Sequence, residues 1–441
     1  MNLDGLESLA IHEILSKLGP ADTASVACVS KKFKDVAADD SLWSKFCADE
    51  LQISSPQDPS GTPTSTFKEA YQIWRETFAM YPWSLVRRVK RCWDKLKSWL
   101  SVNFPEALAT LRNGATEDQI KELEDCLRVK LPLPTRILYR FCDGQAVNCE
   151  EFGESMPGSP FGLIGGYSFY DHVVNVYLLP LREVINETRD VIDQLGFSSR
   201  SKIIVVAASS TYRGKIFFLD CANGRLYVGT RNLTVGREMM PCVPNSFINL
   251  SKRGNQQQDG MLLWLEEHGR RLHDGIIKVR EEGGVRSINL FPEEAPNCTT
   301  AVTNGVKVRA SAVFVPEHSS FQRVAGEYLF AYSIRMSLLP GGCIINGLSF
   351  TSCQLYRRQW TIRANDTIIS EANGEAVIGK FPLLRPGEGE FVYESCTFSP
   401  SPSGSIEGSF TFVPGSLADP MGESFGVAVA HFPLQLPDYI Y

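Results

Sequence analysis

Apolar residues recur at three- and four-residue spacings at the start of the chain, a pattern typical of short amphipathic helices. In the first segment they are Leu6, Leu9, Ile14, Leu15 and Leu18. Gly19-Pro20 ends this segment, and Asp22 is suited to cap a second one. That second segment carries Val26, Val29, Phe33 and Val36. Residues 1–52 are therefore predicted to form a small all-α domain, whose limited length gives it only a modest core of its own.

A different pattern, in which helical and strand periods alternate, extends over residues 83–280. It follows a stretch rich in Pro and Ser (54–63) that does not suit a helix interior, so residues 53–82 are predicted to be a connector. Thr116-Glu117-Asp118-Gln119 is a capping-box start for one helix. Asp143-Gly144 ends a second helix, and Asn223-Gly224 predicts a hairpin between two of three apolar strands. This middle region is predicted to be an α+β domain.

The segment WSLVRRVKRCWDKLKSWL opens the middle region and predicts a basic amphipathic helix. Its apolar face carries Val86, Val89, Trp93, Leu96 and Leu100, and its other faces carry Arg87, Arg88, Arg91, Lys95 and Lys97. Such a helix could contact anionic lipid, nucleic acid or calmodulin. Because folded sequence follows directly, we expect instead that the apolar face packs onto the middle domain while the basic side chains are solvated.

Strict alternation of apolar and polar residues marks the C-terminal region, and it is clearest from Tyr328 to Leu338. Four further alternating segments follow the same period and are separated by turns containing Pro, Gly or Asn. Several strands at this spacing predict an all-β sandwich over residues 299–441. Residues 281–298 are predicted to be a linker.

The composition and charge of the chain argue against several classes of partner. The chain has 441 residues and a formal net charge of -6, which argues against general nucleic-acid binding. The N-terminus lacks the pattern of a signal peptide, and the longest apolar run is far shorter than the ~20 residues of a membrane helix. We therefore expect no nucleic-acid or membrane partner and a cytoplasmic or nuclear location. The 12 cysteines are then expected to be reduced.

Three residue spacings are close to those of known cofactor-binding, catalytic or metal-binding motifs. None of them predicts such a site. Gly374 to Gly379 is close to a dinucleotide loop, but strands rather than a helix surround it and Ala376 replaces the middle glycine. Gly422-Glu423-Ser424-Phe425-Gly426 has nucleophile-elbow spacing, but a strand follows it. His268 and His273 are five apart, which does not suit a shared metal ion. We predict no catalytic residues, no metal and no cofactor.

The first segment resembles a known family. LESLAIHEILSKLGPADTASVACVSKKFKDVAADDSLWSKFC looks like an F-box, with the leading Leu-Pro of the family present as Leu9-Ala10. The family's Val-Cys-Lys-x-Trp/Phe block appears at 29–33, and its Asp-x-x-Leu-Trp at 39–43. The resemblance implies binding to a Skp-type adaptor. The residues expected to make that contact are Leu9, Ala10, Glu13, Ile14, Leu18, Ser30 and Lys31. Val29, Phe33 and Trp43 could belong either to this interface or to the domain core.

Two further resemblances cover the rest of the chain. GATEDQIKELEDCLRVKLPLPTRILYRFCDGQ and GKIFFLDCANGRLYVG resemble the Smi/Knr family of the SUKH superfamily, whose members are mostly protein-interaction modules. YLFAYSIR, ISEANGEAVIGKFPLLRPGEGEFVYES and SPSGSIEGSFTF resemble the bacterial ApaG family. That resemblance implies a fibronectin-type β-sandwich, although Gln359 stands where the family has His and Ala376 where it has Gly.

The order of the three modules resembles that of plant SKP-interacting F-box proteins. It implies a substrate-recognition subunit of an SCF-type ubiquitin ligase. The F-box would bind the Skp adaptor, and through it a cullin–RING ligase, while the downstream domains hold an unknown protein substrate. Two alternatives remain open: a β-sandwich protein that binds a phosphate compound or a metal, and a scaffold that acts outside the ligase.

Overall fold

The chain folds into a helical N-terminal part, a mixed middle part and a β-rich C-terminal part. The computed structural model describes residues 7–146, 161–195, 202–211, 214–233, 238–251, 257–282, 284–321 and 326–440. This order confirms the predicted fold class.

Four short helices form the N-terminal part: α1 Ser8–Leu18, α2 Pro20–Val26, α3 Lys31–Ala37 and α4 Asp40–Phe46. The helices are short because each is bounded by a capping or breaking residue. Gly19, with φ of 86°, and Pro20 separate α1 from α2, and the side chains of Ser30 and Asp39 accept backbone N–H groups at the starts of α3 and α4. Their shared core contains Ile11, Leu15, Phe33, Val36, Leu42, Trp43 and Phe46. Leu6 lies outside the described residues.

The predicted connector contains one further helix. After a turn of π-helix at Cys47–Leu51, residues 54–63 form the predicted loop. Helix α5 follows at Phe67–Thr77, and its side chains Tyr71 and Trp74 are buried. The connector is therefore a packed element that joins the first and middle parts.

Helix α6, Trp83–Asn103, is the predicted basic amphipathic helix. Its five predicted apolar positions, from Val86 to Leu100, are all buried. On its other side Arg88 donates to Glu266 at 2.8 and 2.6 Å and to Gln258 at 2.8 Å. The apolar face is thus covered within the chain, as predicted. Arg88, which we expected to be solvated, is instead partly buried and paired with Glu266.

The helices of the middle part surround one sheet. They are α7 Pro105–Ala109, α8 Glu117–Leu127, α9 Leu133–Phe141, α10 Leu181–Leu195 and α11 Gly260–His273. The capping box predicted at Thr116 and Gln119 is present at the start of α8. Gly144 follows α9 with a φ of 64°, which confirms the predicted left-handed turn.

Eight strands form the middle sheet: β1 Gly165–Phe169, β2 His172–Leu178, β3 Ile203–Ser209, β4 Ile216–Asp220, β5 Arg225–Gly229, β6 Met239–Pro241, β7 Lys278–Glu282 and β8 Val285–Asn289. Their order is β6-β5-β4-β3-β2-β1-β8-β7, and only the pairing of β1 with β8 is parallel among the described strands. Residues 285–289 belong to the segment predicted as a linker, but β8 is an interior strand of this sheet.

The C-terminal part contains eleven described strands: β9 Cys298–Thr303, β10 Val306–Phe314, β11 Tyr328–Leu338, β12 Cys343–Ile345, β13 Leu348–Phe350, β14 Cys353–Ala364, β15 Thr367–Glu375, β16 Leu383–Leu384, β17 Phe391–Ser399, β18 Ser403–Pro414 and β19 Phe425–Gln435. One sheet has the order β17-β11-β10-β9 and the other β15-β14-β18-β19, with β16 also paired to β14. β12 and β13 form a separate hairpin. Strands β9 and β10 also pack against β19, which gives the predicted sandwich.

Candidate functional site

The exposed apolar residues of the helical part lie largely on α1. Ile11 and Leu15 face the core and are fully buried, whereas Leu9 is 79% exposed and Ile14 and Leu18 are each 44% exposed. Ile14 and Leu18 are four residues apart and therefore share a side of the helix. The structure thus divides the apolar positions of α1 into a buried pair and an exposed set.

Ala10 and Glu13 are exposed on the same helix. Ala10 continues the line of Ile14 and Leu18 toward the start of α1, since all three are spaced by four residues. Glu13 lies four residues after Leu9, and its carboxylate is 3.3 Å from the ammonium of Lys17. All five adaptor-contact residues predicted on α1 are therefore solvent-accessible.

The turn between α2 and α3 adds a second exposed segment. Val29 is 71% exposed, and Lys31 is exposed at the first position of α3. The Ser30 hydroxyl accepts the N–H of Phe33 at 3.4 Å, so Ser30 caps α3. Helix α3 packs against α1, which places this turn on the same small domain as the α1 face.

We call the exposed side chains Leu9, Ile14, Leu18 and Val29 the α1–α3 surface. Leu9 is five residues before Ile14, roughly 140° around the helix, so the set extends over more than one side of α1. The sequence left open whether Val29, Phe33 and Trp43 belong to the interface or to the core. Phe33 and Trp43 are buried, and the indole N–H of Trp43 donates to the Ala37 carbonyl at 2.7 Å. Only Val29 of the three is exposed. Its place between Cys28 and Ser30, in a turn rather than a helix, is the local feature that distinguishes it.

Polar contacts beneath α1 hold the helix in position. The Thr23 hydroxyl donates to the Leu15 carbonyl at 3.1 Å in a buried contact, and the Lys45 ammonium donates to the Ser16 hydroxyl at 3.3 Å. These bonds connect α1 to α2 and to α4. The α1–α3 surface is therefore presented by a helix that is fixed from its other side.

Aromatic side chains attach the helical part to the rest of the chain. Glu50 accepts hydrogen bonds from the Tyr71 hydroxyl at 2.8 Å and from the Trp83 indole at 2.7 Å. Further along, the rings of Phe78 and Phe141 stack with centroids 4.9 Å apart. Because these contacts run without a break from α4 through α5 to α9, the first and middle parts share one packed core.

A buried ionic cluster joins the middle sheet to the sandwich. Glu317, which precedes β11, accepts from the Lys215 ammonium at 2.8 Å and from the Tyr167 hydroxyl at 2.7 Å. His172 lies 3.1 Å from the same carboxylate. Burial alone would raise the pKa of Glu317, but Lys215 and the hydrogen bonds from His172 and Tyr167 outweigh it and lower the pKa to about 2. The carboxylate therefore stays charged, and it holds the two parts together.

Glu394 makes a second contact of this kind. Its carboxylate accepts from the Ser168 hydroxyl at 2.8 Å and from the Asn289 amide at 2.8 Å. Ser168 is on β1 and Asn289 on β8, whereas Glu394 is on β17. One face of the β17-β11-β10-β9 sheet is therefore covered by the middle part rather than by solvent.

The segment with near-dinucleotide spacing forms a tight turn. Gly374 belongs to β15, and Val377 and Lys380 exchange backbone hydrogen bonds of 2.9 and 2.8 Å after it. Arg358 donates to the backbone carbonyl oxygens of Glu375 at 2.9 Å and Ala376 at 2.5 Å. Gly379 lies in this turn with a φ of 73°, whereas Asn373 and Gly374, which we expected in a turn or bulge as well, are paired with β14 inside the strand.

The two histidines of α11 make separate backbone contacts. His268 is buried and lies 2.8 Å from the Leu163 carbonyl, while the His273 ring lies 3.2 Å from the Lys95 carbonyl. The described residues contain no group of three or more His, Cys, Asp or Glu side chains arranged to hold a metal ion. Within the same residues no helix is both long and apolar enough to cross a membrane.

Three family models match the chain in the order of the three structural parts. The F-box-like family matches residues 10–49, the SMI1 / KNR4 family (SUKH-1) matches residues 114–233, and the ApaG domain matches residues 318–414. The first match contains most of the α1–α3 surface. The second covers helices α8 to α10 and strands β1 to β5, and the third covers most of the sandwich.

Some relatives match the chain over its whole length and others over part of it. It is 58% identical over 444 residues to F-box protein SKIP16 of Arabidopsis thaliana, with 100% of both chains covered. It is 25% identical to F-box only protein 3 of Homo sapiens, over 100% of this chain and 84% of that protein. Protein ApaG of a Methylobacterium strain is 35% identical over 31% of this chain and 92% of its own length. The chain therefore belongs to the F-box proteins, the family whose members act as substrate receptors of SCF-type ubiquitin ligases through the F-box.

Proposed function

We propose that this chain works as a receptor by binding a Skp-type adaptor on the α1–α3 surface while its middle and C-terminal parts hold a protein substrate. The cullin–RING module would then join through the adaptor. The chain itself would transfer nothing. Its role would be to hold a substrate lysine near the charged conjugating enzyme, which raises the effective concentration of the two reactants. The receptor would act in the cytoplasm, the nucleus or both.

The observation that carries the proposal is the exposure of four large apolar side chains in a domain that already has a core. Full burial of a Leu, Ile or Val side chain stabilises by about 1.5–3 kcal/mol. Because these four are between 44% and 79% exposed, covering the exposed part of each would contribute roughly 5 kcal/mol in total to binding. Their exposure to water contributes nothing to the stability of the isolated chain. A partner that covers Ile14, Leu18 and Val29 and reaches around α1 to Leu9 would explain their exposure.

The exposed set also has a polar border. Glu13 and Lys17 form an exposed ion pair beside Ile14, and Lys31 is exposed beside Val29. An apolar centre with charged residues at its edge is the usual organisation of a protein interface. Of the predicted contact residues, Ser30 is the one with a structural role already, because it caps α3.

Replacing Ile14 with Asp tests the proposal. Ile14 is 44% exposed, so the change should leave the fold intact, but it would put an unpaired carboxylate under the adaptor. We expect the adaptor affinity, measured by titration calorimetry with the full chain, to fall by about 100-fold or more. The matched control is Ile368→Asp in β15, where the isoleucine is 46% exposed and lies in the sandwich.

The two variants give opposite expectations. Ile368→Asp should bind the adaptor as the unchanged chain does, and both variants should keep its circular dichroism spectrum. Capture of the adaptor by Ile14→Asp at undiminished affinity would show that the interface lies elsewhere.

A further inference from the structure

A cavity of about 260 Å³ lies between the middle sheet and the sandwich. The middle sheet contributes Val174, Val176 and Phe217 to its wall, and the sandwich contributes Phe314 and Phe330. Cavities between two packed domains that are lined mainly by apolar side chains are common positions for small-molecule sites. A water molecule occupies about 30 Å³ in the liquid, so the space holds about nine non-hydrogen atoms.

The C-terminal segment after β19 forms a third wall of the cavity. Pro437 and Ile440 line the space. The N–H of Leu436 donates to the Pro402 carbonyl at 2.7 Å in the sandwich, and the N–H of Ile440 donates to the Pro241 carbonyl at 2.9 Å in the middle part. The segment therefore crosses from one part to the other and is anchored on both. These two hydrogen bonds hold this wall of the cavity in place.

The polar groups of the cavity differ in burial. Asn297 and Gln435 are exposed at its edge, whereas Lys215 is only 3% exposed. The Lys215 ammonium donates to the Tyr167 hydroxyl and to Glu317, both at 2.8 Å. Among the described residues these two bonds use two of its three N–H donors. The third N–H has no hydrogen-bond acceptor among those residues, and the ammonium lies 5.8 Å from the ring centroid of Phe217, which lines the cavity with it.

The charges around the cavity are already balanced. Glu317 neutralises Lys215 at 2.8 Å, and Glu267 neutralises Arg271, the other cation of the lining, at 3.0 Å. An additional carboxylate would have to lose its water beside Glu317 without gaining a free cation, and an ammonium group would be repelled by Lys215. A neutral oxygen can accept the remaining N–H at no such cost.

We propose that this cavity is a binding site for a small, uncharged, largely hydrocarbon molecule with one hydrogen-bond acceptor, such as a ketone, an ester or an alcohol. The hydrocarbon part lies against Phe217, Phe314 and Phe330, and the acceptor oxygen lies at Lys215. The residues that line the site all lie between Ile164 and Ile440, so none of them belongs to the α1–α3 surface. A ligand there touches both parts and the C-terminal segment, and it stabilises their association.

A series of eight-carbon probes tests the proposal on the full chain. 2-Octanone is neutral and carries an acceptor, octanoate is an anion, and octylammonium is a cation of similar length. We expect millimolar 2-octanone to raise the thermal midpoint of unfolding by about 2–4 °C, with a smaller rise or none for the two ions. Saturation-transfer NMR from the chain to the ketone provides a second readout that does not depend on unfolding.

A cavity-filling variant locates the effect. Ala312 lines the cavity, and Ala312→Leu puts three more carbon atoms into it. Ala428 is exposed on β19 outside the cavity, so Ala428→Leu is the matched control. The ketone signals should be lost in Ala312→Leu and kept in Ala428→Leu. Equal signals in both variants, a stronger effect of octanoate, or no signal from 2-octanone with the unchanged chain would each overturn the proposal.

Discussion

Two isoleucines on α1, only three residues apart, have opposite environments. Ile11 is fully buried beneath the helix, whereas Ile14 is 44% exposed on its outer side. Hydrophobicity alone does not distinguish them, because both fit the three- and four-residue spacing of an amphipathic helix. The difference follows from the direction in which α2, α3 and α4 pack. Ile14 is therefore assigned to a partner interface because of how the helices pack, not because of its hydrophobicity. A substitution at this one residue tests the assignment.

His268 gives a prediction about pH. It is buried on α11, and because a carbonyl can only accept, its Nε2–H donates to Leu163 at 2.8 Å. Burial lowers the pKa of His268 to about 4, although the bond to Leu163 partly opposes this shift. The unfolded chain, whose histidine has a pKa near 6.5, binds the proton more readily than the folded chain does.

The folded state should therefore lose stability as the pH falls. The contribution of His268 is complete above about pH 6.5 and decreases down to about pH 4, by about 3 kcal/mol in the free energy of unfolding. Urea titrations across this range measure it. In His268→Gln, which keeps a donor but cannot ionise, this part of the dependence should disappear. His273→Gln on the same helix should retain it, and an unchanged pH dependence in His268→Gln would contradict the account.

At the scale of elements, helices and strands with a strong apolar–polar period could be predicted from the sequence. Helix α5 and strand β8 could not. The capping box at Thr116, the strand at 328–338 and the buried face of α6 are as predicted. Helix α5 was missed because Tyr71 and Trp74 follow a Pro- and Ser-rich loop. The sequence does not predict strand β8, because three of its five residues, Arg286, Ser287 and Asn289, are polar, and its place in the sheet depends on a distant strand, β1.

Strand β11 shows a further limit of predicting buried strand faces from the alternation of apolar and polar residues. Its alternation predicts one buried and one outer face, yet Ala331, Ser333 and Arg335 on the second face are also buried. The middle part covers that face. The small side chains of Ala331 and Ser333 are the signal in the sequence, because a solvated strand face has no need of small residues. The same limit applies to the predicted adaptor contacts: the sequence could propose positions on α1, but exposure was needed to separate Val29 from Phe33 and Trp43.

At the scale of the whole molecule, the buried pair Lys215–Glu317 should couple the middle sheet to the sandwich. Removing one partner leaves the other charge buried, so Lys215→Met and Glu317→Gln should each lower the free energy of unfolding by about 3–5 kcal/mol. The double variant leaves no lone charge and should cost clearly less than the two single changes together. Urea unfolding followed by fluorescence measures all three.

An exposed pair provides the comparison for this cycle. Arg385 and Glu388 are about half exposed and 3.1 Å apart, and replacing either should change stability by less than about 1 kcal/mol. If the Lys215 and Glu317 variants behaved like this exposed pair, or if their effects simply added, the ionic cluster would not be what joins the two parts.

Site-specific photo-crosslinking tests the central claim, adaptor binding on the α1–α3 surface, most directly. A photoreactive phenylalanine analogue is placed singly at Ile14, at Val29 or at Ile368, each of which is at least 44% exposed. After mixing with a Skp-type adaptor and irradiation, covalent adducts are measured by mass spectrometry. We expect adaptor adducts from positions 14 and 29 and none from position 368. Adducts from position 368 alone, or none from 14 and 29 in a mixture that contains the complex, would contradict the account.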